Sequence, residues 1–325
     1  MSLYSSVLQG GRLSVKRFWV QSHPASLLLG LILGSVATVL VLNFSIGFHS
    51  GPYMHTNGAR GTELSTPPNK DKTEQLWREC KDLIVVAGHS VFTGANFEDA
   101  DDFKSPWILM SYQEKQLPAF LNHIRAGVEI AANNEKALLV FSGGETRLEG
   151  GPRSEAQSYW WVADAHGWFG KPSSVRDRAV TEEHARDSFE NLLFSICRFK
   201  EVVGSYPETI TVISFTFKKQ RFETLHREAI RWPSDKFHYV GVDVDQNHPM
   251  PQDVYDGEKK NSLIPFKKDP YGCQGVLALK KSTRNPFKKQ ISYPKGCPDI
   301  AGLFNHCDET LYEGPLPWTS NHKEL

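Results

Sequence analysis

Several things are scarce in this sequence, and each scarcity excludes a class of protein. Five cysteines in 325 residues cannot frame a small disulfide-built scaffold. Net charge is absent, with 37 Lys and Arg against 37 Asp and Glu. No bulk basic excess therefore argues for nucleic-acid binding. Disorder is excluded for most of the chain, because 8 Trp and 19 Phe demand burial. A mean hydropathy of -0.40 excludes a polytopic membrane protein, though not a single span. The length is enough to bury a sizeable core in one large domain or two small ones.

One long apolar run is present. From Ala25 to Phe48 the sequence reads ASLLLGLILGSVATVLVLNFSIGF, 24 residues without a charge. About 20 suffice to cross a bilayer core. Arg12, Lys16 and Arg17 precede the run, and the next Lys or Arg is Arg60. That asymmetry predicts a cytosolic segment 1–24, a transmembrane helix 25–48 and a body across the membrane, the type II arrangement of the Golgi or endoplasmic reticulum. A cleaved signal peptide is the rival, but the apolar run exceeds an ordinary signal core. A buried core helix is disfavoured because nothing polar marks an outward face. Residues 49–75 are rich in Gly, Pro, Ser, Thr and Asn and read as a flexible stalk. The folded body is expected at 76–325.

The body alternates strand and helix patterns. Short apolar runs at 82–87 (DLIVVA), 137–141 (ALLVF), 175–180, 209–214 (TITVIS) and 237–242 read as strands. Helical spacing marks 116–133, 154–167, 187–203 and 219–232, and Ser154 with Gln157 forms a capping-box signature. Continuous apolar strands separated by helices predict an α/β fold, a Rossmann-like doubly wound sheet of five mainly parallel strands. Ligands of such sheets sit beyond the carboxyl ends of the strands. The segments to search are therefore 88–93, 142–155, 182–191, 214–221 and 243–247.

Each segment has a bland reading and a functional one. Ser142-Gly143-Gly144 is either an ordinary turn or a stretch offering unobstructed N–H groups to a ligand. Glu155, in the first turn after Ser154, either stabilises its helix or faces a ligand hydroxyl or amine. Residues 182–191 (EEHARDSFEN) read as a capped helix start or as a polar cluster. Lys218, Lys219 and Arg221 stand where a helix begins, and bases there oppose the helix dipole, which favours a bound anion or a carboxylate partner.

In order and spacing these stations resemble the SanA/YdcF-like domain family (the DUF 218 group). The resembling elements are the strand Val85-Val86-Ala87-Gly88, the strand-end Ser142–Gly144, the helix start Ser154-Glu155-Ala156, the set Glu182, Ser188, Glu190 and Asn191, and finally Ser214 with Arg221. They span about 82–242. Three positions depart from the pattern: His89 replaces a small residue, Ala185 a serine and Lys218 a histidine. A lysine suits anion binding better than proton shuttling, which leaves His89 as the candidate for the proton role. The resemblance implies a Rossmann-like pocket and, for bacterial relatives, membrane-anchored proteins of envelope barrier function and polysaccharide metabolism. One soluble relative is associated with S-adenosylmethionine. No settled reaction comes with the family.

The expected site is thus His89, Glu155 and Glu182 as catalytic candidates, with Gly88, Ser142, Gly143, Gly144, Ser188, Asn191, Lys218 and Arg221 binding a small anionic metabolite. The carboxylates and cations are expected to pair with each other when no ligand is bound. No cofactor follows from the motifs. From Lys259 to Lys295, nine Lys and one Arg face one acid, Asp269. That run either returns to the pocket, lies on anionic head groups or forms a solvated face. Cys197 reads as core, and two of Cys273, Cys297 and Cys307 can pair if the body is lumenal. The spacing around Cys297, His306 and Cys307 is a poor zinc site.

Overall fold

The computed structural model describes residues 70–102, 104–245 and 250–319. The span expected at 25–48 lies outside them, as does most of the stalk, and no helix among the described residues is long and apolar enough to cross a membrane. Helix α1 (Lys70–Arg78) covers the last residues expected as stalk. Its Trp77 packs on the core, and the indole N–H donates to Asp177 O at 2.7 Å. That anchor draws the folded body back to about residue 70.

Strands β1 (Asp82–Ala87), β2 (Ala137–Ser142), β3 (Ala179–Glu182), β4 (Thr209–Ser214) and β5 (Phe237–Gly241) form one fully parallel sheet in the order 3-2-1-4-5. Helices α2 (Leu117–Ala132) and α3 (Glu155–Ala165) cross over from β1 to β2 and from β2 to β3. They cover one face, where Phe120, Ile124, Tyr159 and Val162 pack on Ile84, Val86, Leu139 and Phe141. The short α4 (Ser173–Asp177) leads into β3, and α5 (Ser188–Val203) returns the chain to β4 on the opposite face. There Phe189, Leu192, Leu193 and Ile196 meet Leu83, Val85, Leu138 and Val140. Alternate strand residues serve the two faces, which is why these strands are apolar throughout. The strand order reverses between β1 and β4, so the topological switch point lies between their carboxyl ends.

The third strand departs from expectation. The sequence pattern places Val175 in a strand at 175–180, yet it is buried from the single turn of α4, which follows Pro172. Arg178 then fills the interior, donating to the carbonyls of Ala131 (3.1 Å), Asn134 (2.9 Å) and Ala137 (2.5 Å). Pairing starts at Ala179 and runs to Glu182, which places Glu182 on the strand rather than beyond it. The helix expected at 219–232 runs over residues 219–229, widened into a π-helical turn at Arg221–His226 and ending in the short α6 (Arg227–Ala229).

After β5 the chain folds back through α7 (Gln252–Glu258), a second π-helical turn (Lys259–Leu263), α8 (Ile264–Lys268) and α9 (Gly275–Thr283). Two short helices follow, α10 (Tyr293–Gly296) and α11 (Ala301–Asn305). Of the three candidate cysteines, Cys273 and Cys307 form the disulfide, while Cys80, Cys197 and Cys297 are free and buried.

Arg178 is 2% exposed and satisfies three main-chain acceptors. Arg178→Met removes three buried guanidinium hydrogen bonds, while Asn134 O and Ala131 O keep the N–H groups of Ala137 and Asn134, and is expected to lower unfolding free energy by about 2–4 kcal/mol. Urea denaturation measures it, and a loss below ~0.5 kcal/mol would show that the guanidinium bonds add little to those backbone bonds.

Candidate functional site

The strand ends are held together by close backbone approaches. Gly88 N donates to Ser142 O at 2.7 Å, Gly143 N to Glu182 O at 3.0 Å and Gly144 N to Ala185 O at 2.7 Å. The glycine N–H groups expected to face a ligand are therefore occupied by the protein itself. What Gly88 and Gly143 admit is Glu155: a Cβ on either would lie 2.7 Å from Glu155 Cβ. The Ser154 cap fixes the start of α3, its hydroxyl accepting from Gln157 N at 2.9 Å, as the capping box predicts. Glu155 is buried, and Thr146 Oγ1 donates to its Oε1 at 2.5 Å.

Glu182 is interior. It is wholly buried, accepting from Ser142 Oγ at 2.6 Å and His184 N at 2.7 Å. Asn191 Nδ2 closes the network by donating to Ser142 O at 2.8 Å. Burial raises the Glu182 carboxyl to about 7, partly offset by those donors. Nothing here lets Glu182 reach a substrate, so its part is to join β2, β3 and α5. Ser188 Oγ lies 2.7 Å from His226 Nε2, on the α5 side.

The switch point is filled by His89 and Lys218. The His89 ring stacks on Phe215 at 5.0 Å between centroids and tilts against Phe120 at 5.5 Å. Its Nε2 is 3.2 Å from Ser214 Oγ and its Nδ1 is 3.2 Å from Lys218 Nζ. An ammonium group only donates, so Nδ1 then carries the lone pair and Nε2–H points to Ser214. Burial, then the charge of Lys218, holds His89 well below the ordinary histidine range, so the ring is neutral. His123 packs edge-on at 5.2 Å and is likewise neutral, lowered to about 3 by burial.

Lys218 is half-buried. Nζ lies 5.2 and 5.7 Å from the ring centroids of Phe215 and Phe217. Burial first, then Arg221, lowers its pKa to about 7. The expected pairing of Glu155 and Glu182 with Lys218 and Arg221 does not occur. Arg221 instead pairs with Glu258 of α7 at 3.2 Å, both side chains being 7% exposed. Among the described residues no carboxylate lies within ion-pair distance of Lys218.

Part of the basic C-terminal run returns to this end of the sheet. Lys281 lies 3.4 Å from both Asp187 and Glu190, Arg284 donates to Arg186 O at 2.9 Å, and Lys289 pairs with Glu145 at 2.8 Å. Lys280, half-buried, is lowered first by burial and then by Arg284 and Arg221. Glu258, Lys280 and Arg284 belong to no strand-end motif. The excess of basic residues from 259 to 295 hints at Lys280 and Arg284, and no sequence signal marks Glu258. A separate cavity of about 540 Å³ opens beside α5, between Phe189, Phe194, Lys281 and Phe304, away from His89 and Lys218. Among the described residues no group of three or more His, Cys, Asp or Glu is placed to hold a metal.

Over 295 aligned positions the chain is 28% identical to an uncharacterized protein of Saccharomyces cerevisiae, YOR238W, the match covering 74% of this chain and 97% of that protein. No family model matches the chain, and no solved structure matches it.

Two buried groups set opposite pH trends. Unfolded, Lys218 keeps its proton up to pH 10.5 and folded only to about 7, so stability rises with pH across that window. Glu182, raised from 4.5 to about 7, contributes stability that is complete below pH 4.5 and is lost as pH climbs to 7. Stability measured from pH 4.5 to 9.5 is expected to lose its alkaline rise in Lys218→Met and its acid-to-neutral fall in Glu182→Gln. Difference curves that are flat with pH would contradict both placements.

Proposed function

We propose that this is a membrane-anchored SanA/YdcF-like protein whose strand-end crevice takes a small anionic metabolite, phosphorylated, nucleotide-linked or glycan-related. The observation that carries this reading is a gathering of cations in which Lys218 has no carboxylate within ion-pair distance among the described residues. Two lysines, Lys218 and Lys280, are held below the ordinary lysine range by burial first, with Arg221 and Arg284 adding to both shifts. Cations that depress one another at a topological switch point provide a field that an anion relieves. A bound phosphate or carboxylate would return the proton to Lys218.

Two readings of activity follow. As an enzyme, the chain is a hydrolase or transferase on a phosphorylated or nucleotide-linked substrate of envelope-type or secretory-pathway glycan metabolism. His89 and Glu155 then supply proton transfer and polar anchoring. As a binding or scaffold protein, it holds a nucleotide-like or S-adenosylmethionine-like ligand without turnover. The engagement of Glu182 inside the sheet and of the Gly143 and Gly144 amides favours the second reading, since it removes expected machinery. A turnover assay on each stabilising ligand separates them.

Inorganic phosphate and a nucleoside diphosphate are expected to raise the melting temperature over a chloride control, by about 2.7 kcal/mol of linkage at a hundred times Kd. Arg284→Gln should weaken the effect. Because Arg221 is buried in its pairing with Glu258, Arg221→Ala is expected to cost about 3–5 kcal/mol of stability besides any loss of binding. No shift with either anion would refute the pocket.

For topology we propose a single-pass type II protein of the Golgi or endoplasmic reticulum with a lumenal body. The disulfide between Cys273 and Cys307 supports it, because such bonds persist in oxidising compartments. Protease added to intact microsomes should spare the body, and non-reducing peptide maps should link Cys273 to Cys307. Digestion without detergent would reverse the orientation.

A further inference from the structure

We propose that Lys218 is a nucleophilic amine and that the crevice accepts an anionic aldehyde or ketone, which Lys218 captures as an imine. This rests on the strand-end reading of the site and adds the class of functional group that the anion carries.

The geometry points to it in three ways. First, Nζ stands at the switch point, walled by Phe215 and Phe217, in surroundings that favour the uncharged amine. Second, a neutral imidazole nitrogen, His89 Nδ1, waits 3.2 Å away, held in place by Ser214 and the stack on Phe215. Third, a lysine serving structure pairs with a carboxylate, as Lys281 does with Asp187 and Glu190 and Lys289 with Glu145. Lys218 has no such partner among the described residues, and nearby Arg221 is committed to Glu258. A desolvated lysine beside another cation is the arrangement that activates an amine toward carbonyl carbon.

The step balances without an external oxidant or reductant. The Nζ lone pair bonds to the carbonyl carbon, and the proton lost from nitrogen passes to His89 Nδ1 and on to the former carbonyl oxygen. The resulting carbinolamine gives its remaining N–H proton, again by way of His89 Nδ1, to the hydroxyl oxygen, which leaves as water while the nitrogen lone pair forms the C=N bond. The phosphate or carboxylate of the substrate meets the positive field of Arg284 and Lys280. Charged and titratable groups facing Lys218 come from every packed element: His89 after β1, His123 on α2, Glu155 on α3, Arg221 on the π-helical turn, Glu258 on α7 and Arg284 after α9. With the amine titrating near neutrality, Lys218 presents on the order of a hundredfold or more free amine at pH 7 than an exposed lysine.

The test uses the full chain and two probes of nearly the same shape. Pyridoxal 5′-phosphate carries an aldehyde and a phosphate, and pyridoxine 5′-phosphate keeps the phosphate but has an alcohol. Borohydride traps any imine as a secondary amine, located by peptide mass spectrometry. The expected result is preferential trapping on Lys218 at neutral pH, lost in Lys218→Arg, while pyridoxine 5′-phosphate still stabilises that variant. If pyridoxine 5′-phosphate stabilises the protein but Lys218 stays unmodified, or trapping spreads evenly over exposed lysines, the carbonyl inference is overturned and the anion pocket stands. If neither probe stabilises the protein and Lys218 is not trapped, the pocket reading falls with it.

Discussion

The amino group of Lys218, set against His89 and two aromatic rings with no carboxylate partner among the described residues, is the constraint around which the strand-end region is arranged. Removing a charge from water is expensive unless it is paired or neutralised. Here the surroundings are two aromatic rings, a neutral imidazole and an arginine already committed to Glu258. Burial and Arg221 act in the same direction, toward the free amine. His89 is kept neutral by the same burial and by the charge of Lys218, so the two groups share one electrostatic environment.

The rest of the sheet end holds that environment rigid. Glu155 passes over Gly88 and Gly143, binding the start of α3 to the ends of β1 and β2. Glu182, Ser142 and Asn191 join β2, β3 and α5 in one buried network. The chain after β5 then covers this edge, supplying Glu258 to Arg221 and Arg284 to the Arg186 carbonyl. Polar residues that the motifs gather thus divide into two sorts: those that tie elements together, and the His89–Lys218 pair, which bond to each other and, through His89, to Ser214 but form no ion pair.

Much of the fold was legible because burial on both faces writes itself as apolar runs. Strands β1 and β4 were read at their observed bounds, β2 was read one residue short, and the α3 capping box followed from Ser154 and Gln157. Val175 misled because an apolar residue after Pro172 serves a helical turn as well as a strand. Residue types at the site were readable, but their partners were not. Glycine beside a strand end signals a close approach without saying whether a ligand or Glu155 makes it. The pairing of Arg221 with a residue 37 positions away, and the return of Arg284, depend on tertiary contacts that no local spacing encodes.

The protonation of Lys218 is the quantity on which the account stands, and it can be observed at the atom. Lysine labelled with ¹³C at Cε, with the Lys218 signal assigned by its absence in Lys218→Arg, reports the titration through its chemical shift. The account predicts a midpoint near pH 7 in the free protein. Saturating inorganic phosphate is predicted to move that midpoint upward toward the ordinary lysine range. A Lys218 signal that titrates above pH 10 with and without phosphate would contradict it.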